Sequence, residues 1–569
     1  DNDEVQQDCS RALSNLTSNE ENHSLIYTLG GLRALVGLTE SVEDICQRYA
    51  AFGLRFLCSN PEIRVSIVRD GLLKPFLTLA QSPLVEYQRT AAAAFASFSL
   101  NDENKQKMVR DGCLGQILSC CLYKDLEVVR NCTFALANLA DSLDLQSDVL
   151  REGGIEVLQK VGMHDDARVQ RDAARTLACL SASDDVKDAI VIKGALPTLF
   201  QLARSLDVAS QRYSTLTLCN LASGNFKVRL VEEGIVRPLS FLARFPDTEI
   251  QRYAALALAG LALGDHGRPP NKVRIAEEGA LRALIDLIRF PETEVQQCAS
   301  LAINALALGC HASTKVAVMY EQGLLPLLDL VRSSNGDCIK SAIYALGSLA
   351  ESDPVKAQLV ELGAVVNVVR EANKGDIDIK RAAGYFLALM CETREFHDDL
   401  ARQGGLQAVV ALACLEDVEC QEYAAFSLAH LASNHEYQIM LVELNALRPL
   451  VSMMATEAEP RHYAGLALLK LADNFENHLR IAEEGGIQAL LRLGRARSTD
   501  EELQYKAALT VGHLASNAVK MLPRGARAAA HGNGIGFSAS VLQGQAADTK
   551  AKRTRKQTQD YLDKSLRVN

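Results

Sequence analysis

Eight basic residues recur along the chain at related positions: Arg48, Arg89, Arg130, Arg171, Arg212 and Arg252, then Lys340 and Arg381. The first six are separated by 41, 41, 41, 41 and 40 residues. A guanidinium is planar and presents a fork of N–H donors, so it grips a carboxylate through two parallel hydrogen bonds. A row of such groups at repeat spacing suits an extended acidic segment of another protein. Local pairing is the other reading. Asp44, Glu86, Glu127 and Glu249 precede several of these arginines by three or four residues. Each is then a first-turn carboxylate paired with an arginine of its own helix, worth about 0.2–0.5 kcal/mol. The two readings are compatible, because a weakly paired arginine can exchange partners.

Other chemistries find little support. No nucleophile–base pair, paired carboxylates or ligand cluster stands out from the repeat, so no enzyme activity, cofactor or metal site is expected. The fifteen cysteines are odd in number and show no C-x-x-C spacing, which reads as small core residues in a reducing compartment. The vicinal pair Cys120–Cys121 is read the same way. His430 and His513 are too isolated for a metal site. Gly532-Asn-Gly-Ile-Gly-Phe lacks the strand and helix context of a phosphate loop. Near the C-terminus, Lys550, Lys552, Arg553, Arg555 and Lys556 form a concentrated basic cluster. It suits acidic tubulin tails, anionic lipid or an import receptor, or else is a solvated tail.

Composition narrows the class. In 569 residues, 48% are hydrophobic, only 5% aromatic, and Trp is absent. The apolar content is Ala, Leu, Val and Ile, which favours close-packed helices over β-sandwiches. Sixty basic residues against seventy acidic leave −10, so a globally basic nucleic-acid binder is excluded and no direct nucleic-acid contact is expected. Residues 516–569 carry ten Lys/Arg and three Asp/Glu, or +7, so the remainder holds −17. No apolar run is long enough to span a membrane.

Periodicity indicates what must position the arginines. A phrase of acidic or polar residue, Gly, small residue and aliphatic recurs around Gly30, Gly71, Gly112, Gly153, Gly194, Gly234, Gly279, Gly323, Gly363, Gly404 and Gly485, with Asn445 in the Gly role once. Successive markers lie 40 to 45 residues apart. Gly with Asn as its substitute fits a helix C-terminus that needs a left-handed residue. Pro75, Pro197, Pro238, Pro326 and Pro449 follow three or four residues later, where the first turn of a helix tolerates proline. Each unit therefore reads as two short helices, a turn and a longer Ala/Leu-rich helix, which is a stacked helical solenoid. The two wide spacings predict insertions near 264–272 and 309–314. Residues 1–520 form the array, with a truncated first repeat, and 521–569 a basic Ala/Gly-rich tail.

Thr248-Glu-Ile-Gln-Arg-Tyr-Ala-Ala-Leu-Ala-Leu-Ala-Gly-Leu-Ala resembles the third helix of an armadillo repeat, and Val273-Arg-Ile-Ala-Glu-Glu-Gly-Ala-Leu-Arg-Ala-Leu-Ile the first and second. The resemblance covers about residues 1–520. It implies an all-α, right-handed superhelical solenoid of twelve to thirteen three-helix repeats whose third helices line a concave groove. The even repeat lengths look most like vacuolar-scaffold and ciliary members. Family grooves carry an Asn late in the third helix, often with a Trp four residues earlier. Here Asn15, Asn138 and Asn220 match, but Trp is missing throughout, which argues against nuclear-signal binding.

The resemblance implies a non-catalytic cytoplasmic scaffold that binds extended acidic segments of other proteins in its groove. The site residues are the eight basic residues above together with Asn15, Asn138 and Asn220. A second reading is a cytoskeletal component of a microtubule-based assembly such as a ciliary axoneme, with tubulin or axonemal proteins as partners. A third is an acylated membrane tether of the vacuolar type. It needs an N-terminal lipid signal, expected upstream of Asp1 because the helical pattern is already under way by Val5.

Overall fold

A computed structural model describes residues 3–263, 270–309, 312–455, 460–495 and 501–521. Residues 101–141 show how the sequence builds one repeat. The first helix, Asp102–Arg110, has acids in its opening turn and Lys107 and Arg110 in its last, both favourable to the helix dipole. Gly112 stops it with φ 85°, a left-handed conformation that is costly for any residue with a Cβ. The second helix, Cys113–Cys120, buries Cys113, Leu114, Ile117 and Leu118 along one stripe. Cys120 and Cys121 are both buried. Asp125 then takes the extended N-cap conformation, and its side chain accepts the Val128 N–H at 3.1 Å. The third helix, Leu126–Ala140, follows.

That third helix is buried on nearly every side, with Val128, Cys132, Leu136 and Leu139 inward and alanines between them. Removing a side chain such as Leu136 from water contributes about 1.5–3 kcal/mol, and the small alanines let neighbouring helices approach. A helix apolar all round needs neighbours on both flanks.

Among the described residues there are helices, turns and bends but no strand. The chain divides into two units, residues 1–264 and 265–569. In the first, the third helices are Asp3–Thr17, Asp44–Leu57, Val85–Phe98, Leu126–Ala140, Ala167–Leu180, Val208–Ala222 and Thr248–Ala262, each packed on the next. In the second they are Thr293–Ala307, Gly336–Leu349, Ile377–Cys391, Val418–Leu431, Pro460–Leu471 and Glu501–Met521, packed in the same serial order.

A second row of polar contacts closes the other end of these helices. The last carbonyls of a helix have no intrahelical donor. His23, Gln146, His397, Gln438 and His478 each donate to the carbonyl six residues earlier, at the end of the preceding third helix. A carbonyl only accepts, so each of these histidines carries its proton on Nε2. Lys356 holds the same register almost wholly buried, its Nζ donating to Thr393 Oγ1 at 2.7 Å. The sequence reading singled out His430 and His513 and passed over these buried histidines.

Two sequence expectations need correction. The marker at Gly323 is one residue late: Gln322 holds the left-handed conformation (φ 58°), while Gly323 has φ −77°. Gly323 is instead needed for space, since a Cβ there would lie 2.8 Å from Val318 Cγ1 and 3.0 Å from Ile285 Cδ1. The stretches expected as insertions also include helical residues. Asn271 and Lys272 belong to the helix Pro270–Glu277, and Ala312 to Thr314 to the helix Ala312–Tyr320. Residues 264–269 and 310–311 lie outside the described residues, as do the tail cluster Lys550, Lys552, Arg553, Arg555 and Lys556.

Gln322→Gly is expected to stabilise the protein by up to about 1 kcal/mol, because it removes left-handed strain and gives back part of that in unfolded-chain entropy. Gly323→Ala should lower the thermal midpoint. A fall in midpoint for the first variant, or none for the second, would show that these roles are misassigned.

Candidate partner-binding face

The arginine row lies one and a half turns into successive third helices. Helical side chains lean toward the helix N-terminus, and the guanidiniums of Arg89, Arg130, Arg171, Arg212 and Arg381 reach the start of the neighbouring third helix, where each meets the N-cap aspartate of the next repeat. Arg89 donates from Nε (3.1 Å) and Nη2 (2.7 Å) to the two oxygens of Asp125. Arg130 holds Asp166 through the same two nitrogens, and Arg171 holds Asp207. Arg212 grips Asp247, with Nη2 at 2.7 Å. In the second unit Arg381 grips Asp417, with Nη2 at 2.6 Å. These aspartates simultaneously accept backbone N–H groups of their own helices, as Asp166 does from Arg168 and Val169 at 3.1 Å.

The pairing differs from the one expected within a helix. Glu86 pairs with Arg48 at 3.4 Å, Glu127 with Arg89 at 3.5 Å and with Arg55 at 3.3 Å, and Glu249 with Arg212 at 3.1 Å. Asp44 accepts the Tyr87 hydroxyl at 3.2 Å. Each acid therefore serves a preceding repeat or, for Asp44, the following one. The physical reason is rigidity: an N-cap carboxylate already held by backbone N–H groups loses little freedom when it also binds an arginine. Own-helix pairs do occur in the second unit, Asp337–Lys340 at 3.0 Å and Asp378–Arg381 at 3.0 Å. Arg252 lies over the Tyr253 ring, 5.1 Å from its centroid.

The asparagines play another part. Asn138 is buried, donating to Ser99 Oγ at 3.0 Å and accepting from Arg175 Nη1 at 3.1 Å. Asn220 donates to Ser181 Oγ at 2.9 Å. Both amides bracket one third helix to its neighbour rather than standing open, while Asn15 is exposed. In the second unit the position four residues before the Asn position is closed by packed rings: Tyr344 and Tyr385 are buried with centroids 5.7 Å apart, and Tyr385 meets Tyr423 at 5.9 Å.

Exposure separates the two members of each ion pair. The side chains of Arg89, Arg130, Arg171 and Arg212 are 39–47% exposed, against 12–16% for their aspartates. At Arg130 and Arg171 the guanidinium is the outer group, while Arg89 and Arg212 also carry the exposed Glu127 and Glu249. The bond from Arg130 holds the Asp166 carboxyl down to about 2, and Asp125, Asp207 and Asp417 are likewise held below the usual carboxylate range by Arg89, Arg171 and Arg381.

Known proteins bear on this geometry. Residues 101–141, the repeat described above, match the family model described as Armadillo/beta-catenin-like repeat. A solved structure reported under a phosphorylation switch that controls the interaction between cadherin and beta-catenin is similar at 14% identity and a TM-score of 0.65, covering 85% of this chain and 98% of its own. Each unit is an armadillo-type solenoid. A crystal structure of an engineered protein is similar at 26% identity and a TM-score of 0.56, covering 77% of this chain and 98% of its own. No curated protein matches. The N-cap aspartate ladder is the feature that sequence reading missed. Its signal was available: Asp125, Asp166 and Asp207 recur 36 residues after Arg89, Arg130 and Arg171.

A cap loss at Asp166→Ala should cost about 1 kcal/mol at neutral pH. The acid limb follows from the lowered carboxyls. They are ionised in the fold where the unfolded chain binds protons, so their stabilisation is complete above the ordinary value and is lost as pH falls from about 4 to 2. Urea unfolding across that window should show a steeper loss for the wild type than for a variant with Asp125, Asp166 and Asp207 changed to Asn. Parallel curves would show that the ion pairs are not linked to folding.

Proposed function

We propose that this protein is a non-catalytic interaction scaffold that receives acidic segments of other proteins along its arginine row. The observation that carries this reading is the exposure asymmetry: four consecutive guanidiniums stand outward over N-cap aspartates turned into their own helix ends, and at the middle two, Arg130 and Arg171, no exposed glutamate shares the guanidinium. Each aspartate takes the Nε and Nη2 edge. The Nη1 groups of Arg130 and Arg171 meet no carboxylate among the described residues and are available to a further acceptor. The clamp also fixes guanidinium orientation before a partner arrives, which lowers the ordering cost of binding. The structural neighbour whose report concerns cadherin and beta-catenin supports a protein partner.

A second reading, a structural part of a microtubule-based assembly such as a ciliary axoneme, rests on the basic cluster at Lys550, Lys552, Arg553, Arg555 and Lys556. Salt-sensitive co-sedimentation with microtubules that disappears when residues 549–556 are deleted would favour it. Sedimentation unchanged by the deletion would count against it.

For the main reading, a synthetic Asp/Glu-rich peptide is titrated against the wild type and against Arg130→Gln/Arg171→Gln. The double variant should lose about tenfold or more in affinity, since a charge-assisted contact is worth more than 1.4 kcal/mol. Wild-type affinity should also fall between 0.1 and 1 M salt as the Debye length shrinks from about 10 to 3 Å. Equal affinities for a folded variant, checked by its thermal midpoint, would rule the arginine row out as the site.

A further inference from the structure

Exposed aliphatic side chains cluster near the starts of the third helices that carry the arginines. Ile45, Val85, Leu126, Met163, Leu206 and Val208 are all exposed, Leu206 completely. They sit in the turns entering five successive third helices of the first unit, or in the first turn of those helices. Because these helices pack serially, the turns follow one another along one edge. Val85, Leu126 and Val208 hold the same first helical position in their repeats, and the residue before each of the last two is the aspartate that holds an arginine. Single exposed aliphatics are ordinary. Three at one helical position, with others in the adjoining turns and a line of charge beside them, mark an interaction surface.

We propose that this edge docks an amphipathic α-helix of another protein, with aliphatic side chains along one stripe and carboxylates along the adjacent stripe. The inference rests on the arginine-row reading and specifies the partner's chemistry and conformation. Two arguments select a helix. An extended segment sends alternate side chains to opposite faces and so presents one row to a surface, whereas a helix presents two neighbouring stripes at once. The spacing also agrees: packed helices stand about 8–10 Å apart, and residues seven apart on a helix are separated by about 10.5 Å. Charge selects carboxylates at Arg130 and Arg171, whose guanidiniums are the outer members of their pairs while Asp166 and Asp207 are withdrawn.

The test uses the full chain and three synthetic peptides of about 25 residues, the length that spans five turns. One is helical with a Leu stripe beside a Glu stripe, one has Lys in place of Glu, and one keeps the Leu/Glu composition but is interrupted by prolines. The Leu/Glu helix should bind, gain helicity by circular dichroism on binding, and exceed both controls by about tenfold or more. Leu126→Ser/Val208→Ser should reduce its affinity per folded molecule by a similar factor, as should Arg130→Gln/Arg171→Gln, each with the folded fraction checked by its thermal midpoint. No binding of the Leu/Glu helix, equal binding of either control, or an unchanged affinity of the folded Ser variant overturns the proposal. A proline-interrupted peptide that needs the arginines but not the aliphatics overturns this proposal and leaves the arginine-row reading standing. Binding that needs the aliphatics but not the arginines overturns both.

Discussion

The N-cap aspartate does two things at once, and much of the first unit's surface follows from that. As a cap it fixes where the third helix begins, by accepting N–H groups that the helix itself cannot satisfy. As an acceptor for the previous repeat's arginine it ties that start to the adjacent helix. Asp166 shows both: backbone N–H groups of Arg168 and Val169 on one oxygen, and the Arg130 fork across both. Serial helices held this way keep a common register, so every side chain at a given helical position recurs along one line. The exposed guanidiniums form one such line and the first-turn aliphatics another.

The same device decides which charge is presented. A free Arg–Asp pair on a surface is electrically balanced and contributes little. Here the aspartate is drawn into a helix end and the guanidinium is left outside, so the Arg130–Asp166 and Arg171–Asp207 pairs show a positive face. Where the cap or the basic residue changes, the pattern changes. Leu84 occupies the N-cap of one repeat, and Arg48 reaches the exposed Glu86 instead, at the longer distance of 3.4 Å. In the second unit Lys340 bonds Asp337 on its own helix and lies 3.8 Å from Asp378. The uninterrupted part of the row is therefore Arg89 to Arg212.

Polar order at the opposite helix ends is hidden rather than displayed. His23, Gln146, His397, Gln438 and His478 donate to carbonyls that end third helices, and Asn138 and Asn220 bridge third helices to serines of the previous repeat. An unsatisfied carbonyl in such a place costs on the order of 1–3 kcal/mol. Several residue types supply the same N–H, which is why this register does not look like a motif when read as letters. Burial pushes the His397 pKa down, consistent with a neutral ring whose only task is that hydrogen bond.

Much was legible from the sequence itself. A marker every 40 to 45 residues, helical apolar spacing, and first-turn prolines determine three helices per repeat, because local backbone conformation and periodic burial are written in residue type. The position of the arginines in those helices was equally legible. Their partners were not, since an ion pair between residues 36 apart depends on how one helix leans against the next. The same holds for Gln322. Its letter does not announce a left-handed backbone, and only the crowding of Gly323 against Val318 and Ile285 shows which of the two must be glycine. Asn138 and Asn220 looked like groove residues because their register matched, yet the tertiary structure spends Asn138 on Ser99 and Arg175 and Asn220 on Ser181. Sequence periodicity determined the repeat. The packing of one repeat on another decided which of its polar groups remain for a partner, because only contact between helices reveals which donors and acceptors are already used.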